Sequence, residues 1–361
     1  MSATAPTTVP ERTGPTGGGL THGQLTSAQH LGVAAGAIGV GLLTWIPFGA
    51  PNWAWLIVGA LITYTVGIYV VSRLVEGPRQ AANRLSTALV TSAFGIVLLP
   101  LVSVVWTVVE RGTNRFDWEM FSTTMLGQVG EGGGLYHALV GTLIVTGLAT
   151  LFSVPFGLFT AIYLVEYGGD SKLARGITSM VDVMTGIPSI VAGLFAYALF
   201  EAFFGPGTRS GISGAVALTL LMTPVVVRSS EEMLRLVPDE LREASYALGV
   251  QKWKTIVKVV IPTAIAGILT GITLAIARVI GETAPLLVTA GTTVGVNWNP
   301  FDGRMNTLPV FVYYSYTQPG IPVEAGQDRA WAGALVLVLL VAILFSTARV
   351  LATVLKPKGL R

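Results

Sequence analysis

The chain has 361 residues, 52% of them hydrophobic and only 11% charged, with a net charge of +3 and a mean hydropathy of +0.68. A soluble domain carries about 25% charged residues, so this composition excludes an ordinary soluble fold and reads as a polytopic membrane protein. Zero cysteines exclude disulfides, thiolate metal sites and cysteine nucleophiles, and the small net charge gives no sign of a nucleic-acid partner.

In chain order, residues 1–30 are polar and rich in Thr, Gly and Pro. They lack the basic-then-apolar order of a signal peptide and read as a disordered tail. A span needs about 20 apolar residues to cross about 30 Å of hydrocarbon. Eight apolar runs are candidates, near 31–47, 53–75, 86–109, 138–165, 180–204, 213–229, 259–290 and 330–354. The first is short and ends at Pro47, so a hairpin dipping part-way into the membrane stays open. Pro100, Pro155, Pro188, Pro224 and Pro285 each interrupt a run. They read either as tolerated kinks or as bends in helices that rock around a cavity.

Lys and Arg concentrate on the cytoplasmic side of membrane proteins. With eight spans, the N-terminal tail, 73–85, 166–179, 228–258 and the C-terminus fall on one side and hold most of the basic residues. The opposite segments hold only Arg111, Arg115, Arg209, Arg304 and Arg329. Both termini and the 228–258 segment are therefore expected in the cytoplasm. Arg228 and Asp182 lie near span ends, where snorkelling explains them. On the outer side, Glu131-Gly132-Gly133-Gly134 precedes a run and reads either as a backbone nest for an anion or as a flexible linker. Residues 297–329, with Trp298, Tyr313, Tyr314 and Tyr316, read as a structured outer loop that suits a binding protein.

The stretch ELREASYALGVQKWKTIVKVVIP, 240–262, is charged between two apolar runs. Pro238 suits a first helical position, and Asp239 with Glu240 complements the helix dipole. Leu241, Ala244, Ser245 and Leu248 share one small, mostly apolar face, and Gly249 suits a left-handed helix stop. This predicts a short helix, a glycine turn and a second helix running into the membrane. It is either an interfacial helix or a knob that docks into a soluble partner.

Further on, Arg278 and Glu282 interrupt the run IARVIGETAPLL. A charge near the bilayer centre costs about 2.5–3.5 kcal/mol even on the most lenient scale. Arg278 lies roughly 24 Å along its span from Pro262 at about 1.5 Å per residue. Glu282 is four residues on, so the two share a face and can pair. They form either a structural clamp or a site in which Arg278 grips an oxyanion through its guanidinium fork and Glu282 orients it or accepts its proton. Hydrogen phosphate has that proton and sulfate has none. No catalytic set is visible. There is no GxxxxGK[ST] phosphate loop, and His22, His30 and His137 are scattered without metal-ligand spacing.

Glu243-Ala244-Ser245, three residues, Gly249, nine residues, then Val259-Val260-Ile261-Pro262 resembles the EAA loop of ABC-importer permeases, EAA-x3-G-x9-I-x-L-P. In that family the loop is the helix that couples the permease to its ATPase, which implies this role for Glu243, Ala244 and Gly249. EGGGLYHALVGT (131–142), IYLVEYG (162–168), PSIVAGLF (188–195), MLRLVPDELREASYALGVQKWKTI (233–256) and GILTGITLAIARVIGETAPLL (267–287) together resemble the PstA-type subunit of phosphate importers over about 86–354. The resemblance implies an all-α polytopic membrane protein of the type I ABC-importer class. Its six-helix core at 86–354, with the coupling loop at about 231–258, would follow an extra N-terminal transmembrane hairpin at 31–75 and precede a cytoplasmic tail at 355–361. It implies no cofactor in this chain, with ATP and Mg bound by a partner. The expected partners are a homologous PstC-type permease, a PstB-type ATPase dimer, an extracytoplasmic PstS-type phosphate-binding protein and membrane lipid. Three alternatives stay open: a permease for phosphonate, molybdate or sulfate, an intramembrane enzyme acting on a lipid phosphate, and a membrane scaffold that senses phosphate.

Overall fold

The computed structural model describes residues 25–45 and 53–354. The expected tails up to residue 24 and from 355 to 361, and Pro47 at the end of the first run, lie outside the described residues. The described residues hold helices and no strand. The chain divides into two compact units, residues 1–106 and 107–361.

In the first unit, α1 (Ser27–Trp45) and α2 (Trp53–Val75) form an antiparallel hairpin. A Cβ on Gly67 would meet Val33 Cγ1 at 3.1 Å, and the Leu25 amide donates to Glu76 Oε1 at 2.9 Å. Glu76 is the clasp: Ser72 Oγ donates to it at 2.6 Å, and Arg84 of α3 (Pro78–Gly112) grips both carboxylate oxygens at 2.9 and 3.0 Å. Arg84, the Leu25 amide and Ser72 hold its carboxyl down at about 2. α2 and α3 are long and apolar enough to cross a membrane, whereas the apolar part of α1, Ser27–Leu43, is shorter than a span.

The second unit is organised around α5 (Tyr136–Ile162) and α8 (Gly211–Arg235). The two run parallel, since a Cβ on Gly214 would meet Val145 and one on Gly157 would meet Val226, while Ala161 shares a cluster with Leu234. Two parallel crossings require the chain to return between them. The sequence predicts a single span at 180–204, kinked or bent at Pro188, and this is corrected to two separate helices. The return is made by α6 (Lys172–Thr185) and α7 (Ser189–Phe204), bent by 107°. Pro188 at the N-cap of α7 disfavours helix at the residue before it and so breaks the path. α6 also carries Lys172, Arg175 and Asp182, which suit an interface better than hydrocarbon. α7 then packs closely on the core, because Gly193 leaves room for the Pro285 backbone, 2.6 Å from where a Cβ would sit.

α11 (Ile261–Ile280) returns antiparallel to α8, with Gly267 against Met233 and Gly271 against Ser229. The expected run 259–290 is also divided: α11 stops at Gly281, and α12 (Ala284–Thr289) is a separate short helix opened by Pro285. α13 (Leu308–Thr317) gives the expected outer loop its structure, and α14 (Val323–Val354) closes the unit. Val145, Ala149, Leu218, Met222, Ala275 and Val279 form the common core. Pro100, Pro155 and Pro224 sit inside continuous helices. Among the described residues, six helices can cross a membrane, or seven with the bent pair, against the eight expected. Large exposed side chains such as Phe156, Phe159, Phe203 and Ile343 suit contact with hydrocarbon or another subunit.

Candidate functional site

Two places in the second unit gather the residues singled out in the sequence, at opposite ends of the bundle. At one end α8 runs through buried Val237 into α9 (Asp239–Ala247). Pro238 takes the N-cap with extended ψ rather than the first helical position, and Asp239 and Glu240 fill the first turn as expected. Gly249 adopts φ +71°, and the Gly249 and Val250 amides donate back to Tyr246 O and Ser245 O at 2.9 and 3.2 Å. This is the left-handed stop that a glycine permits. The chain then enters α10 (Lys252–Thr255), a π-helical turn at Ile256–Val260, and α11.

The expected single face of α9 is split. Ser245 turns inward and its hydroxyl lies 2.8 Å from that of Thr255, joining the two arms of the loop. Leu236, Leu241 and Leu248 stay outside, the last 83% exposed, beside exposed Glu243 and Ala244. A short, rigid helix thus presents an unpartnered apolar ridge flanked by carboxylates.

Arg242 supplies the rigidity. Its Nε and Nη2 both donate to Glu166 Oε1 at 3.0 Å, and Nη2 also donates to Leu234 O at 2.9 Å. Nη1 donates to Val237 O at 2.6 Å and Asp239 Oδ1 at 3.0 Å. Glu166 is 4% exposed and lies in a second π-helical turn, Tyr163–Gly168, that ends α5. A π-turn widens the helix by one residue, the kind of local distortion that re-aims side chains at functional places. Sequence reasoning misses this anchor: Glu166 stands out only as part of IYLVEYG, and its link to Arg242 joins positions 76 residues apart. Beside it, Arg228 bonds both Asp182 and Glu231, and Arg235 bonds Glu231. Arg228 and Asp182 are therefore partners that tie α6 to α8, not independent snorkelling groups.

At the other end, Arg278 occupies the last turn of α11. Thr270, Leu274 and Arg278, at successive turns, form an exposed stripe. The expected pairing with Glu282 is not made: among the described residues neither side chain has an ion-pair partner. The reason is local. Gly281 caps the helix, so four residues of sequence are not one turn of helix here. Arg278 presents an exposed guanidinium on a face that nothing among the described residues covers, with half-buried Glu282 just beyond.

Residues 153–359 match the family described as "Binding-protein-dependent transport system inner membrane component". The "Phosphate transport system permease protein PstA 1" of Mycobacterium tuberculosis (strain CDC 1551 / Oshkosh) is 49% identical over 269 residues, 73% of this chain and 86% of that protein. The chain belongs to the PstA-type family of transport permeases. Its PstA-type relatives include the Mycobacterium leprae protein, 48% identical over 76% of this chain and 89% of its own length. Another, from Pasteurella multocida, is 37% identical over 75% and 95%. An inward-facing structure of the MetNI methionine ABC transporter overlaps 62% of this chain and 95% of that one, with a TM-score of 0.48 and 20% identity. This PstA-type chain is an all-α, multi-pass membrane protein of a transporter family.

Proposed function

We propose that this chain is one of the two homologous permease subunits of an ATP-driven inorganic phosphate importer. The observation that carries the reading is the 49% identity, across most of the chain, to a protein named as a phosphate transport permease. The exposed ridge of α9, held by Arg242 and turned by Gly249, supports it by giving a soluble partner a rigid surface. Glu243, Ala244 and Gly249 form the coupling helix for an ATPase dimer of PstB type. ATP and Mg bind in that partner, and this chain contributes no catalytic group. Arg278 and Glu282 line the pathway, facing a PstC-type permease across the exposed stripe of α11. A PstS-type protein delivers phosphate at the end opposite the coupling helix.

The excess of Lys and Arg at the α9 end supports a cytoplasmic side for that end. α14 runs toward it, which supports a cytoplasmic C-terminus. The hairpin at 31–75 returns Leu25 to the level of Glu76, which suits a cytoplasmic N-terminus and a hairpin that enters the membrane ahead of the 86–354 permease domain.

The test is uptake of radiolabelled phosphate by vesicles containing the assembled complex, with unlabelled phosphate, sulfate, phosphonate and molybdate as competitors. Competition by unlabelled phosphate alone is expected. Equal competition by sulfate, phosphonate or molybdate would refute the cargo assignment.

A further inference from the structure

At the end of α5 remote from the coupling helix, a cavity of about 460 Å³ opens between α5, α13 and the start of α14. Three of its lining side chains are more than nine-tenths buried and each leaves a polar atom unpartnered: His137 Nδ1, Asn306 Oδ1 and Arg329 Nε. The amide nitrogen of Asn306 donates to Thr293 O at 3.2 Å and faces His137 Nε2 at 3.2 Å. That assigns His137 Nε2 as acceptor and puts the ring proton on Nδ1. Arg329 Nη1 is fixed by Gly130 O and Gly132 O at 2.8 and 3.0 Å. The Glu131–Gly134 stretch is thus held by its carbonyls rather than left as a flexible linker, and Arg115 also donates to Gly133 O. A buried guanidinium without a counter-ion is costly, yet no carboxylate lies within ion-pair distance of Arg329 among the described residues. Arg329 also lines a second cavity with Glu131, Glu324 and Asp328, none of them within ion-pair distance of it, and nearby Arg115 is satisfied by Asp117 and Glu119.

We propose that the cavity lined by His137, Asn306 and Arg329 is a receiving site for an oxyanion, hydrogen phosphate, distinct from Arg278. The inference rests on the reading of this chain as a phosphate permease and adds to it a second station at the delivery end. The guanidinium supplies the charge; Arg329 Nε–H, His137 Nδ1–H and Asn306 Oδ1 are each closed to water in this structure and open to the anion as it enters, the first two as donors. Asn306 Oδ1 accepts the O–H that hydrogen phosphate carries and sulfate lacks. Buried Phe311 in the lining, edge-on to the His137 ring, lowers the dielectric around His137 and strengthens its contact.

The experiment uses the assembled transporter carrying Ser315→Cys, a half-buried lining position in a chain with no native cysteine, and follows alkylation of this chain by N-ethylmaleimide. Inorganic phosphate at ten times its dissociation constant should slow labelling about tenfold. Sulfate should protect far less. Added Arg329→Gln, which keeps an N–H for the glycine carbonyls, should abolish protection, and added Arg278→Gln should preserve it. If Arg329→Gln does not assemble, the arms with Arg329 intact decide the matter. No protection by phosphate in a complex that still imports phosphate would overturn the site and leave the function standing. Protection and uptake both favouring sulfate would overturn the phosphate reading while retaining an oxyanion site. Protection by ligand-free binding protein but not by phosphate would overturn the proposal in favour of a partner carboxylate docking on Arg329.

Discussion

Replacing Arg242 by Ala tests whether α9, the proposed coupling helix, is rigid because of a single side chain. The change leaves Glu166, 4% exposed, without its cation, and strips donors from Leu234 O and Val237 O. Removing one member of a buried pair costs about 3–5 kcal/mol. Arg242 itself is 12% exposed, so water relieves part of the loss and the low end, about 3 kcal/mol, applies. At 1.4 kcal/mol per factor of ten, the balance between anchored and loose α9 shifts by about a hundredfold. The assay is recovery of the ATPase on affinity-purified permease, together with the Tm of the complex, and both should fall sharply. Arg242→Lys should rescue little, because one ammonium cannot reproduce the guanidinium fork that spans Glu166, Asp239 and two carbonyls. The double change Arg242→Met with Glu166→Leu should recover Tm, because two matched apolar groups replace an ion pair at little loss. Unchanged recovery and Tm in Arg242→Ala would refute the anchoring argument. A double variant as unstable as the single one would also refute it.

Three further outcomes follow from the geometry. Gly249→Val meets open space, with nothing within 4 Å of its Cβ, but must hold φ +71°, at a cost of about 1–2 kcal/mol. ATPase co-purification should drop for Val and much less for Asn, which tolerates that region. Since Arg278 and Glu282 make no ion pair, Arg278→Leu with Glu282→Leu should be as inactive in phosphate uptake as Arg278→Leu alone while still assembling; restored uptake in the double variant would return the two to a structural role. For Glu76, the folded-state pKa is lowered from 4.5 to about 2, so its stabilisation is present above pH about 4.5 and is lost as pH falls toward 2. The Tm advantage of the native chain over Glu76→Gln should therefore shrink across that window, and an advantage that grew on acidification would contradict the clasp.

Much of the candidate site was legible because local chemistry dictates it. Asp239 and Glu240 at a helix start and Gly249 at its end act within one or two turns, so their spacing alone locates α9. Arg242 and Glu166 were not legible as partners, because nothing in either neighbourhood states that the end of α5 returns to α9. Arg278 and Glu282 show the opposite error: spacing assumed a helix continuous through Gly281, and the glycine ends it.

The membrane class, the number of long apolar segments to within one or two, and the place of α9 with its glycine turn were determined by the sequence alone. Hydrophobic run length, charge sparsity and capping residues are properties of consecutive positions, and they act before any tertiary contact forms. The parallel pairing of α5 with α8, the 107° angle between α6 and α7, and the meeting of His137 with Asn306 across 169 residues were decided only by the tertiary structure. These depend on which helix faces fill one another's gaps. Many pairings bury nearly the same apolar area, and close glycine approaches and satisfied polar groups select among them only once the helices are assembled.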